Sequence, residues 1–171
     1  MPLTTESYTL DEAIDELQGR IEDVGDTIAD LEETSDRYQR LEARSNRLEY
    51  LCDGLVWQRD EAEWGGDCEI TLGALTAGEK ALMHRAAPDE AGREEMNLWF
   101  VAQGTVDAPY AADDLDEAFA DLAGAHDGYV QWAEAKLNGL ASPGESGNRL
   151  RTYLQGKQDG KSSTSERTST T

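Results

Sequence analysis

The chain has 171 residues, of which 36 are Asp or Glu and 15 are Lys or Arg, giving a formal net charge of −21. Such a surface repels nucleic-acid phosphates, which proteins hold with Lys and Arg. Mean hydropathy is −0.67 and no window of about 18 apolar residues exists to span a membrane, so neither nucleic acid nor membrane is an expected partner. The opening MPLTTESYTLDEAIDEL has neither a basic leader nor an apolar core, which points to a cytoplasmic protein.

The length suits one domain with an appendage: a flexible N-terminus over 1–9, a coiled coil or helical hairpin over 10–64, a small helical domain over 65–155 and a disordered tail over 156–171. The expected fold class is mainly α with at most one short strand. Acids are spread from residue 6 to 145, and the bases are eleven Arg against four Lys. This profile resembles proteins of extremely halophilic archaea and their viruses, where molar salt screens self-repulsion within a few ångström. An acidic mesophilic protein or a DNA mimic would share the charge.

From Leu10 the apolar residues run Leu10, Ile14, Leu17, Ile21, Val24, Ile28, Leu31, with gaps of four and three alternating. This is a heptad seam, with the isoleucines at a and the others at d. At Thr34 to Asp36 the register shifts by three, and the next seam is Tyr38, Leu41, Ser45, Leu48, Cys52, Leu55. A stammer in one long helix and the turn of an antiparallel hairpin both accommodate the shift. Charge favours the hairpin. Residues 10–33 carry ten acids and one base, whereas residues 36–49 carry Arg37, Arg40, Arg44 and Arg47 against three acids, so folding back sets arginines beside carboxylates. Ser35 or Asp36 would cap the second arm. Ion pairing is then the expected role of the arginine stripe, ahead of a nucleic-acid contact. If the arms do not close on each other, the seam pairs with another chain or makes a homo-oligomer.

Trp57, Trp64 and Gly65-Gly66-Asp67 end the helical run, and Glu69 to Leu72 reads as a short strand. Thr76-Ala77-Gly78-Glu79 is a capping box that opens a helix through Ala81, Leu82 and Met83. After a polar linker over 88–93, the helix Glu94 to Gln103 is the most apolar of the chain, and Gly104 ends it. Residues 105–110 read as a loop. Asp113 or Asp114 then caps a helix with Leu115, Ala118, Phe119 and Leu122 on one face. A last helix begins near Asp127 and stops at Asn138-Gly139. Leu98, Trp99, Phe100, Phe119 and Trp132 are the expected core or groove of this domain, with Trp99, Phe119 and Trp132 at its packing centre. Asn148 to Gln155 reads as a short helix. Beyond Gly156 no apolar residue occurs.

Chemistry-bearing motifs are sparse. Cys52 and Cys68 lack a CxxC and a histidine set, so they read as idle thiols rather than zinc ligands. His84 and His126 stand apart from any nucleophile and suit surface or helix-end roles. No phosphate-binding glycine loop and no HExxH is present. The expectation is a protein without catalytic, metal or cofactor sites, and not an enzyme.

Residues 69 to 141 also follow a recognisable order. LTAGEKALM supplies Leu75, Thr76, Glu79 and Leu82; VAQGTVDAP supplies Val106, Asp107 and Pro109; DDLDEAFADLAGAHDGYVQWAEAKLNGLA supplies Leu115, Leu122, Leu137, Asn138 and Gly139. This resembles the tail assembly chaperones of long-tailed viruses. Ala108 between Asp107 and Pro109, and the heptads at 10–64, depart from that pattern. The resemblance implies a non-enzymatic chaperone that coats a tape measure protein and recruits tail tube subunits. A coiled-coil structural or adaptor protein of a halophilic archaeon or its virus is the alternative.

Overall fold

The computed structural model describes residues 3–141, all within one compact unit. The expected helix at 148–155 and the tail beyond 156 lie outside the described residues. The order is β1 (Thr5–Thr9), α1 (Leu10–Ala29), α2 (Asp36–Asp60), β2 (Glu69–Gly73), α3 (Ala77–Ala86), α4 (Arg93–Gly104), β3 (Thr105–Asp107), α5 (Leu115–Leu122) and α6 (Asp127–Ala141). The chain is thus mainly α, with an α1–α2 hairpin in its N-terminal part.

The sheet corrects the expectation of at most one strand. Its order is β1-β2-β3, antiparallel throughout, with Thr5 opposite Gly73, Thr9 opposite Glu69, and Thr71 opposite Asp107. Two segments were misread for the same reason. Residues 5–9, expected to be flexible, and residues 105–107, expected to be a loop, are too short to display a period of two. Each becomes a strand because β2 offers an open edge whose amides and carbonyls need partners.

Strand β1 runs directly into α1. Thr9 is the N-cap, accepting from the Glu12 amide at 3.2 Å while the Thr9 amide donates to the Glu12 carboxylate at 3.1 Å. Ser35 caps α2 in turn, its hydroxyl accepting from the Tyr38 amide at 3.1 Å. Thr76 and Glu79 close the expected capping box of α3, and the Thr76 amide, donating at 2.7 Å, lowers the Glu79 pKa. Asp114, not Asp113, caps α5 by accepting from Asp116 and Glu117. Helix α6 continues past Asn138-Gly139 to Ala141, because Leu140 packs against the core and holds the last turn.

Hairpin and C-terminal region share one core. Leu10, Ile14, Leu17, Leu48, Leu51 and Leu55 belong to the same buried cluster as Ile70, Leu72, Val101, Tyr129, Trp132 and Leu137. A smaller cluster joins Leu75, Met83, Ala87 and Trp99, with Phe119 stacked on Trp99 at 4.1 Å between ring centroids. The expected packing centre is therefore divided: Trp99 and Phe119 hold the small cluster, whereas Trp132 lies in the large one against Tyr8 and Tyr129. Phe100 is half-buried against both. The Trp99 indole nitrogen is buried without a hydrogen-bond partner.

Candidate functional site

The seam residues close within the chain. Leu10, Ile14, Leu17, Val24, Leu48 and Leu55 are buried, and Ile21, Ile28 and Leu41 pack half-buried against the same core. Leu31 and Tyr38, next to the turn, are half-exposed. The alternating gaps that define a coiled coil thus serve an intramolecular hairpin, since either geometry buries the same stripe.

Helix α2 has a second face. At about 100° per residue, Leu51, Gly54 and Gln58 stack on a stripe roughly a quarter turn from the seam, and all three are buried. That stripe crosses α6 at close range: a Cβ on Gly54 would run into the backbone of Gly128 and Tyr129, and one on Gly128 into the Tyr50 carbonyl. Gln58 fixes the crossing, its side-chain oxygen accepting from the His126 amide at 2.8 Å. His126 Nδ1 accepts from the Gly128 amide at 3.0 Å, and its ring lies beside Tyr50 and Trp57. The histidine therefore closes the first turn of α6. His84 is exposed in the last turn of α3.

Beside this crossing a groove of about 430 Å³ opens between α4, the α5–α6 turn and α6. Leu98, Ala125 and Val130 form its apolar lining, while Arg47 and Arg93 stand at its rim with Glu94, Asp127 and Glu134. Two of these carboxylates already accept from neutral donors. Asp127 takes Tyr50 Oη at 3.0 Å and Gln131 Nε2 at 2.6 Å, and Glu134 takes Asn97 Nδ2 at 3.0 Å. The bond to Asp127 raises the Tyr50 pKa. Of the expected core or groove residues, only Leu98 lines this groove.

The expected ion pairs of the arginine stripe are not formed. Among the described residues the cross-element ion pairs are Arg59 with Asp11 at 3.2 Å and Lys136 with Glu16 at 2.7 Å, the latter with its ammonium 4.8 Å from the Tyr8 ring centre. Arg59 also pairs with Asp60. These bonds, that to Asp60 first, raise the Arg59 pKa, and Arg59 lowers that of Asp60. Arg37, Arg40, Arg44 and Arg47 have no ion-pair partner among the described residues: Arg37 lies beside Asp26 and Asp30 of α1 without pairing, Arg40 donates its Nε to the Asp36 carbonyl at 3.2 Å, and Arg47 lies on the α4–α6 side.

Buried polar groups elsewhere are structural. Thr105 Oγ1 lies 2.7 Å from Tyr110 Oη, which lies 3.0 Å from Tyr129 Oη. Burial pushes the Tyr110 pKa up to about 12 and that of Tyr129 well above the ordinary tyrosine value. Cys52 and Cys68 are free, and burial raises both pKa values, so the unreactive thiol is favoured. Among the described residues no cluster of three or more His, Cys, Asp or Glu is arranged to hold a metal, and no helix is long and apolar enough to cross a membrane.

Sequence reasoning missed the groove for a physical reason. Its lining comes from α2, α4 and the stretch 123–134, far apart along the chain, and its apolar members Ala125 and Val130 read locally as an ordinary turn and helix. The signal available was Gly54 on α2 and Gly128 on α6, since small residues at such positions allow close backbone approach. No protein-family model, curated protein or solved structure matches this chain.

Proposed function

We propose that this protein is a non-enzymatic tail assembly chaperone of a virus infecting a halophilic archaeon. It holds a helical segment of a tape measure or tail tube protein in the groove beside α4 and α6, in the host cytoplasm at high salt. The observation that carries this reading is the groove itself, whose floor carries Leu98, Ala125 and Val130 while seven of its eleven lining residues are charged or amide side chains. Such a surface suits an amphipathic helix, with apolar anchors in the floor and polar residues at the edge. Apart from Arg47 of α2, its lining falls within residues 69–141, the stretch that resembles these chaperones. An excess of 21 negative charges keeps such a holder soluble in concentrated salt.

The alternative, a coiled-coil structural or adaptor protein, draws on the half-buried seam residues Ile21, Ile28, Leu31, Tyr38 and Leu41 near the hairpin turn. The seven buried seam residues, Leu10, Ile14, Leu17, Val24, Leu48, Cys52 and Leu55, weigh against it, since they are spent within the chain.

The test is affinity capture of tagged full-length protein from infected cells in molar KCl, beside Ala123→Trp, which fills the groove from an exposed position at its rim. The chaperone reading expects a long helical tape measure or tail tube protein with the wild type, little with the variant, and none of this chain in purified particles. Equal capture by the variant, capture of neither protein, or a stoichiometric presence in particles contradicts it.

A further inference from the structure

The residues Arg37, Arg40, Arg44 and Arg47 recur at gaps of three, four and three, which places them on one stripe of a helix. Leu51, Gly54 and Gln58 continue that stripe with the same gaps. In its lower part the stripe is the face on which α6 docks, and Gly54 and Gln58 make that contact. In its upper part the stripe is four exposed guanidiniums with no ion-pair partner among the described residues. Arg37 shares a shallow depression with Asp26 and Asp30, yet forms no ion pair with either. At its lower end Arg47 reaches the rim of the groove, where Arg93 also stands.

We propose that this arginine ledge docks an acidic α-helical segment of a protein partner, which lies along Arg37, Arg40, Arg44 and Arg47 and enters the groove beside Arg93. A helix repeats carboxylates at the same gaps of three and four, so one stripe of Glu or Asp meets the ledge in register. Guanidinium forks bind carboxylates bidentately and are weakly hydrated. Such short contacts persist where molar salt has reduced long-range attraction to about 3 Å.

Duplex DNA fits less well. It carries a charge about every 1.7 Å along its whole length and would meet Asp36 at the head of α2 and Glu94 at the groove as well, whereas a helix confines its acids to one stripe. A second copy brings its own 21 excess negative charges. The proposal names the chemistry of the client segment and rests on the chaperone reading.

The probe is a labelled synthetic helix of about 20 residues with Glu at gaps of three and four and Leu at one end, titrated by fluorescence anisotropy in KCl. Its counterpart has every Glu replaced by Gln. The protein variants are Arg40→Glu/Arg44→Glu and Arg40→Lys/Arg44→Lys, each checked for an unchanged melting temperature. Expected are at least tenfold weaker binding of the Gln peptide, a loss of tenfold or more with the Glu variant, and an intermediate loss with the Lys variant.

The proposal is overturned if the acidic peptide fails to bind, if the Gln peptide binds equally, or if the charge reversal leaves affinity unchanged. It is also overturned if a 20-base-pair duplex binds the same arginines more tightly, or if the free protein is a dimer that the charge reversal splits. Capture of a tape measure protein by wild type and ledge variant alike removes the ledge and leaves the chaperone reading standing. Peptide binding as expected with no tape measure captured removes the assigned client and leaves the ledge.

Discussion

The two halves of α2 share a backbone and a hydrophobic period yet differ in nearly everything else. In residues 48–58 the helix is buried on two faces, with Leu48, Cys52 and Leu55 toward α1, and Leu51, Gly54 and Gln58 toward α6. In residues 36–47 no side chain is buried; the seam is Tyr38 and Leu41, half-exposed, and the second face is four arginines. One half therefore belongs to the core, while the other offers its second face to solvent. A continuous helix thus carries a stabilising function and a surface function end to end, and the change from Leu and Gly to Arg on a single stripe divides them.

Substitutions break this comparison most sharply at the crossing. Gly54→Leu has no space against the Gly128 and Tyr129 backbone, so the variant is expected to lose its cooperative thermal transition, a cost above about 4 kcal/mol. Leu55→Ala, at a fully buried site, is expected to lower stability by about 2–5 kcal/mol in urea unfolding. The matching change in the upper half, Leu41→Ala, should cost about 1 kcal/mol or less, because the site is half open and the cavity fills with water.

Alkaline pH acts on the core that the lower half helps to build. Tyr110 and Tyr129 stay neutral in the folded protein, Tyr110 up to about 12, whereas unfolded tyrosine ionises near 10. The unfolded chain releases its protons first, so stability falls as pH rises from about 10 toward 12. Tyr110→Phe should flatten that fall in urea titrations across the window. The smallest effect belongs to the ledge, where Arg44→Gln should change stability by less than about 0.5 kcal/mol. A larger loss would mean that the arginine holds the fold.

Much of the fold was legible because the signals were local and periodic. The alternating four and three gaps from Leu10 and the register shift at Thr34 to Asp36 left a hairpin and one long helix open; charge chose the hairpin, although the ion pairs behind that choice are not formed. The capping residues Thr76 and Glu79 could be read directly, and Ser35 as one of two candidates beside Asp36. Strands β1 and β3 could not, since five and three residues gain their structure from β2 rather than from their own pattern. The T-x-x-E of Thr9 and Glu12 was the overlooked start of α1.

The groove and the ledge were less legible still. The arginine stripe was visible as residues, but its partner depended on which way it faced. Charge balance along the chain pointed to α1, yet only Arg37 lies beside α1 carboxylates, Asp26 and Asp30, and Arg47 lies at the groove beside α6. Nor was the shared core legible, because the composition shift near residue 65 reads as a boundary while Leu10, Leu55, Ile70 and Trp132 pack together.

Native-state hydrogen exchange along α2, in molar KCl with and without the acidic helical peptide, tests the division of this helix most directly. Amides of residues 48–58 should exchange only through global unfolding, and those of 36–47 through a smaller local opening. Bound peptide should raise protection in 36–47 selectively. Uniform protection along α2, or a peptide effect confined to other elements, would contradict the division into a core half and a docking half.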